Sequence, residues 1–359
     1  VLLTINVFSQ NGIIEGKVLN ISNNEPLPFT NIIIFGTNKG ATTDIDGKFT
    51  ITGITPGYVR LSVSSVGFEP RITEDFMVTN AKVAYIDIYL KSTLLELSSV
   101  EIKATPFIKD EESPLSMRTL SISELERNPG GNRDVSKIIQ SLPGVASTPA
   151  YRNDIIVRGG GSSENRFYLD GIEIPNINHF ATQGASGGPA GIINLDFVRE
   201  VDFYSGAFPA SRGNALSSVL EIKQIEGNNK KFNYRGAFGA SDLALTLDGP
   251  VNKNSSIIFS ARRSYLQFLF SALGLPFLPT YNDFQGKYKI KFGSKSELSI
   301  IGLGAIDKMA LNTDIKDPDE SQRYTLAYLP VIEQWNYTLG ASYKIFRKKG
   351  YDTWVISRN

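Results

Sequence analysis

The chain has 359 residues, no cysteine, one histidine and a formal net charge of +1. That length holds two or three domains, and near-neutral charge gives no electrostatic case for nucleic acid. Without cysteine, and with one imidazole, a disulfide scaffold, a thiolate nucleophile and a His/Cys zinc site within one chain are excluded. No run of about 20 apolar residues is present, so no transmembrane helix is expected. Tyr at 15, Phe at 21 and Gly at 32 suit a β-rich protein with many turns.

Residues 1–9, VLLTINVFS, are short and apolar and precede Gln10. They read as the remnant of a secretory signal peptide, with a first β-strand as the alternative. Residues 10–92 read as a β-sandwich. The runs Ile13–Leu19, Asn31–Phe35, Lys48–Ile51, Tyr58–Ser64 and Val83–Leu90 are β-branched and separated by turns such as Asp46-Gly47 and Pro56-Gly57. Asp44 and Asp46 lack the twelve-residue calcium loop with its closing Glu, so a plain turn is the reading there. Residues 93–122 form a linker. It carries one alternating segment, Leu97–Ala104, ahead of Pro106 and the charged run Lys109–Glu112. A lone strand of that kind can add to another protein's sheet edge.

Residues 123–227 start with a capping-box spacing, Ser123 to Glu126, and continue into a second helix over Arg133–Leu142 that Pro143-Gly144 stops. Then comes IIVRGGGSSENRFYLDGIEIP, residues 155–175. Ile155–Arg158, Arg166–Leu169 and Ile172–Ile174 read as three strands around a Gly/Ser turn and an Asp170-Gly171 turn. Arg158-Gly159-Gly160-Gly161 lacks the Gly-Lys-Ser/Thr ending of a phosphate loop, so its glycines are assigned to tight turns. A Gly-rich loop over 176–191 holds His179, the sole imidazole, beside Asn178, Phe180 and Gln183. With His179 the sole imidazole, no His-dependent triad can be built around a plausible Ser, and no carboxylate pair is constrained enough for acid/base catalysis.

Residues 228–359 change rhythm. Leu243, Leu245 and Leu247 alternate with Ala244, Thr246 and Asp248; Phe284, Tyr288, Ile290 and Phe292 oppose Gln285, Lys287, Lys289 and Lys291; Trp335, Tyr337 and Leu339 oppose Gln334, Asn336 and Thr338. Seven strands of about ten residues, apolar on one face and polar on the other, describe part of a transmembrane β-barrel. Asp248–Asn254, Gly293–Ser296 and Arg347–Gly350 are expected as short periplasmic turns, and Leu266–Tyr281 and Lys308–Ala327 as long outer loops. Lys287, Lys289 and Lys291 would face the lumen and need acidic or ligand partners. Seven strands cannot close and would leave two open edges in the bilayer, so they read as the start of a truncated barrel.

Two resemblances follow from these motifs. GKVLNISNNEPLPFTNIII, GATTDIDGKFTITGI and LSVSSVGFEP resemble the carboxypeptidase regulatory-like domain, a non-catalytic transthyretin-like sandwich. ERNPGGNRDVSKIIQSLPGV, VRGG, YLDGIEIP and INLDFVREVDFYSGAFPASRGNALSSVLEIK, in that order, resemble the plug domain of TonB-dependent outer-membrane receptors. The implied fold class is mainly β: a sandwich, an α+β plug and the first strands of an incomplete barrel.

The resemblance implies a bacterial outer-membrane transporter that is no enzyme and has no cofactor. Its partners would be TonB, outer-membrane lipid and an extracellular solute of unread class. Receptors with this sandwich include glycan importers with a surface lipoprotein lid, although nothing in the sequence requires one. The family's arrangement places a TonB box at Val100, Glu101, Ile102, Lys103 and Ala104. Arg158, Gly159, Gly160, Asp170 and Gly171 carry the plug motif. Arg158, Arg199, Glu200 and Arg212 would bridge plug and barrel wall, and Asn178, His179, Phe180 and Gln183 would form a ligand-facing loop, a solvated loop being the alternative. The rival function is a non-transporting surface adhesion or assembly protein.

Overall fold

The computed structural model describes residues 11–80, 82–93, 116–131, 133–148, 152–182, 187–188, 190–239 and 241–359. The candidate TonB box and residues 1–9 lie outside them, as does Gln183.

The N-terminal unit is built of β1 (Gly12–Asn20), β2 (Asn31–Ile34), β3 (Gly40–Thr42), β4 (Lys48–Ile54), β5 (Gly57–Val59), β6 (Leu61–Ser64), β7 (Arg71–Ile72), β8 (Phe76–Val78) and β9 (Ala84–Leu90). β1 pairs antiparallel with β4 and parallel with β9, and β2 lies between β3 and β6 in a second sheet. Period-2 alternation turns Ile14, Val18, Ile51, Val63 and Ile88 inward, and each buried aliphatic contributes about 1.5–3 kcal/mol. Asp44 Oδ1 accepts from the Asp46 and Lys48 amides, the arrangement of an Asx turn.

The central unit contains β10 (Met117–Ser121), α1 (Ile122–Arg127), α2 (Val135–Gln140), β11 (Val145–Ala146), β12 (Ile156–Val157), β13 (Asn165–Leu169), β14 (Ile172–Ile174), β15 (Val198–Tyr204) and β16 (Ser218–Gln224). Its main sheet runs β10-β15-β16-β13-β14, with β13 and β16 parallel. Two sequence expectations shift here. The capping box of α1 is Ser121 with Glu124, not Ser123 with Glu126; Ser123 instead bonds Asp75 of the N-terminal unit. The three strands of residues 155–175 do not form one ladder either. β12 pairs only with β11, because Arg158 at φ +51° turns the chain away, while β13 pairs with β14 and β16. Asp170 and Gly171 both have positive φ, as a two-residue hairpin turn demands.

The C-terminal unit is one antiparallel sheet in sequence order: β17 (Asn233–Phe238), β18 (Asp242–Asn252), β19 (Ser255–Ser264), β20 (Phe277–Phe292), β21 (Ser296–Leu311), β22 (Ile332–Arg347) and β23 (Gly350–Arg358). Helix α3 (Leu266–Ala272) connects β19 to β20, and α4 (Glu320–Tyr328) connects β21 to β22. Three of the strands are much longer than the expected ten residues. β20, β21 and β22 have 16 each and run about 50 Å, more than a tilted strand needs to cross a bilayer core of about 30 Å.

This curved wall wraps the central unit with its polar face. Ser260, Asp283, Gln285, Lys287, Lys289 and Thr338 are buried, whereas Leu243, Leu245, Phe284, Trp335, Leu339 and Ile356 are exposed. A water-soluble sheet packs its apolar face and solvates the polar one. The inversion is what a lipid-facing wall around a polar lumen requires. Where the central unit touches the wall without polar bonds, Ile301, Leu303 and Ala305 join its own core of Leu120, Ile139, Leu169 and Ile172.

Candidate functional site

The contact between central unit and wall concentrates the chemistry. The Gly-rich loop brings His179 to the wall with its carbonyl accepting from the Gly188 amide at 2.7 Å and its own amide donating to the Ala190 carbonyl at 2.8 Å. The imidazole lies between two carboxylates from neighbouring strands. Nδ1 is 2.7 Å from Asp307 Oδ1, and Nε2 is 3.1 Å from Asp283 Oδ2. All three side chains are 0% exposed. The Tyr281 ring stacks on the imidazole at 4.0 Å.

Both carboxylates are further held. Asp307 Oδ2 accepts from the Phe180 amide at 2.7 Å and from Gln334 at 2.9 Å. Arg262 donates Nε–H to Asp283 at 2.8 Å and Nη2–H to the Gly191 carbonyl at 2.6 Å. An imidazolium donates at both nitrogens, so it matches two flanking acceptors; a neutral ring would turn one lone pair toward a carboxylate. With Arg262, two cations then face two anions. Burial pushes the His179 imidazole down, yet its bonds to Asp283 and Asp307 outweigh burial and hold it above its ordinary value. Phe180 sits in the left-handed region at φ +54°, uncommon for a bulky side chain, and this aligns its amide with Asp307.

Below this cluster a chain of amides runs from the wall to the Asp170-Gly171 turn. Asn194 donates to Ser260 Oγ at 2.7 Å and, through its amide, to Gln285 at 2.9 Å. Gln285 donates to Gln224 at 2.8 Å, and Gln224 donates to both Asp170 oxygens at 2.8 and 2.9 Å. Three lysines on one face of β20 then descend the wall. Lys287 meets Asp170 at 3.0 Å, Lys289 meets Glu226 at 2.7 Å and Glu297 at 3.1 Å, and Lys291 meets Asp87 of the N-terminal unit at 2.8 Å. Burial pushes the Glu226 carboxyl up, but Lys289 and its two neighbours outweigh it and hold it well below the usual range. At the opposite end, a cavity of about 450 Å³ opens between Ser162, Arg166, Asn176, Thr182 and the β22 residues Gln334 and Asn336.

Comparison with known proteins fits this geometry. The family model for the carboxypeptidase regulatory-like (CarboxypepD_reg-like) domain matches residues 14–102, and that for the TonB-dependent receptor plug domain matches residues 109–219. The chain belongs to the TonB-dependent receptors. TonB-dependent receptor P39 of Formosa agariphila is 27% identical over 234 residues, covering 62% of this chain and 20% of that protein. TonB-dependent transporter Oar of Myxococcus xanthus is 22% identical over 255 residues, covering 67% of this chain and 23% of that protein. The chain thus spans between a fifth and a quarter of the length of these relatives. A solved ferric enterobactin receptor variant of Pseudomonas aeruginosa matches at 14% identity and a TM-score of 0.49, over 67% of this chain and 40% of that one. The receptor is an outer-membrane protein, its central unit the plug and its curved wall part of the barrel.

The receptor distributes the expected site residues unevenly. Asp170 does reach the wall, through Lys287. Arg158, Arg199, Glu200 and Arg212, expected as plug–barrel bridges, make their observed bonds inside the plug. Arg158 reaches Ser205 at 3.3 Å, and Arg212 pairs with Glu221 at 2.9 Å while lying over the Tyr168 ring. Glu200 pairs with Arg199 at 3.2 Å and Lys223 at 2.9 Å. Burial raises its carboxyl pKa, but Arg199 and Lys223 outweigh burial and bring it down to about 2. These four sit on plug strands and turns whose partners are already within reach. Asn178, His179 and Phe180 are neither ligand-facing nor solvated; all three are buried against the wall or within the plug. The residues that bind the plug to the wall, Ser260, Arg262, Asp283, Gln285 and Asp307, carried no local motif. Their signal was a polar residue at inward positions of an alternating strand.

Proposed function

We propose that the receptor imports an extracellular solute into the periplasm, with TonB pulling near Val100–Ala104 to displace the plug. The observation that carries this reading is the polar contact between plug and wall. A permanent stopper would be fused by apolar packing alone. Here buried hydrogen bonds and ion pairs hold the plug to a polar lumen, and water that follows the moving plug can satisfy the polar groups it uncovers. The polar cavity beside Gln334 and Asn336 lies on the outer side of the plug, where a solute would arrive.

In the full-length receptor, deleting Leu97–Ala104 is expected to abolish uptake while leaving solute binding intact. Uptake that survives the deletion would defeat the mechanism. Screening growth on sole nutrient sources, compared with a strain lacking the receptor, identifies the solute class.

A further inference from the structure

We infer that the N-terminal sandwich is a detachable cover, docked beneath the plug across the periplasmic mouth of the barrel by a charged clamp at Lys291 and Asp87. The inference rests on the membrane reading above, which puts the short turns of the wall in the periplasm. Four polar contacts between sandwich and wall fall at that rim. Lys291, the last lysine of the β20 ladder, meets Asp87 at 2.8 Å, and the Asp87 side chain is 4% exposed. Lys230, just before β17, pairs with Glu15. Lys82 lies 3.8 Å from Asp248, and Asn24 donates to the Ser294 carbonyl, in the turn between β20 and β21, at 3.4 Å. Anions of the sandwich face cations of the rim at two of these points, and the sense reverses at the third.

The plug side is polar as well. Ser123 bonds Asp75, and the Arg127 guanidinium lies 4.9 Å over the Tyr58 ring. Burial, reinforced by the plug's Glu200 and Asp202 and partly offset by Arg71, pushes the Glu74 carboxyl up. What makes the cover separable is the distribution of apolar packing. Among the described residues, the plug core includes Ile301, Leu303 and Ala305 of the wall but no side chain of the sandwich, whose core is self-contained. Lifting the sandwich therefore exposes mainly ions and hydrogen-bonding groups that water accepts, rather than the aliphatic core of either unit.

These 359 residues contain no native cysteine to compete in site-specific chemistry. In the full-length receptor in the outer membrane, Glu15→Cys with Lys230→Cys is treated with a flexible bis-maleimide. The pair is expected to cross-link in resting cells, with the Lys291–Asp87 clamp intact. Adding Lys291→Glu should cut the yield at least tenfold, and adding Asp87→Lys to that variant should restore it. Lys291→Gln, milder for folding, should fall between the two. Hydrogen exchange of the plug strand Ser218–Gln224 should stay unchanged throughout.

Failure to cross-link, or a yield indifferent to Lys291, overturns the clamp. Faster exchange in Ser218–Gln224 on loss of the clamp overturns separability, since plug and sandwich would then open as one body. The side of the membrane is read separately, by adding a membrane-impermeant maleimide to intact cells carrying Lys230→Cys alone. Labelling there defeats the periplasmic assignment, and with it the cover, while the cross-link still reports whether the sandwich docks on the rim.

Discussion

The plug is held at its upper contact and the sandwich at its lower one by the same kinds of bond, under unequal hydration. At the upper contact His179, Asp283 and Asp307 are sealed from water. At the rim the lysines are partly wet while their anions are not: Lys291 is 36% exposed against 4% for Asp87, and Lys82 is 47% exposed against 14% for Asp248. A sealed charge set is costly to break by halves, because the remaining partner stays buried and unpaired. A wet pair is replaced by water at little cost. The difference teaches that one lumen can hold two moving parts with graded resistance without changing the chemistry of the fastening, only its access to solvent.

Breaking the sealed side should produce the largest effect. His179→Leu leaves two buried carboxylates facing an apolar side chain, and plug docking should weaken by about 3–5 kcal/mol, read as denaturant-dependent hydrogen exchange of plug amides. An unchanged exchange profile would mean the cluster contributes nothing to docking. Ile139→Ala, deep in the plug core, should cost about 2–5 kcal/mol, with the loss spread over the whole plug rather than confined to the wall contact.

Gly340→Ala tests how closely plug and wall approach. A Cβ there would stand 2.7 Å from Ile172 Cδ1, so docking should lose about 1–3 kcal/mol, and Ile172→Val beside it should recover part of the loss. On the wet side, Lys82→Ala should change sandwich docking by less than about 1 kcal/mol, measured as cross-linking yield at the rim.

Acidity sharpens the contrast further. A residue whose docked pKa is raised stabilises the docked state fully below its free value and loses that contribution as pH rises through the docked value. His179 should therefore hold the plug best in mildly acidic medium and progressively less well in alkaline medium. His179→Leu should flatten that trend, and a native profile that strengthens with pH would contradict it. Glu200 behaves oppositely: its depressed carboxyl stabilises the plug above the free value of about 4.5 and ceases to do so as pH falls toward about 2.

Much of the architecture was readable from residue order alone, for physical reasons. Short strands in the sandwich and alternating strands in the wall each repeat one local pattern, so Ile14, Val18, Leu243 and Leu245 declare their faces within a few positions. Lys287, Lys289 and Lys291 were placed in the lumen by the same alternation, which also foretold that they needed acidic or ligand partners. The identity of those partners was not readable. Asp87, Asp170 and Glu226 lie far away in the chain, and only the wrapping of wall around plug brings them near. His179 was misjudged because a glycine-rich setting signals exposure locally, while its burial depends on Asp283 and Asp307, which lie 104 and 128 positions away. Arg158, Arg199 and Arg212 were assigned outward for the converse reason: a charged residue in a motif invites a distant partner even when Ser205, Glu200 and Glu221 stand closer.

The shared core of Ile301, Leu303 and Ala305 with the plug has a consequence for biogenesis. Those three side chains belong to a strand synthesised well after the plug, so the plug lacks part of its interior until that strand arrives. Such high contact order makes plug closure a late and slow event, with the assembling wall serving as its template. A plug transplanted into an unrelated barrel would meet foreign residues at those three positions, and would close with a poorer fit even if every residue of its own were retained.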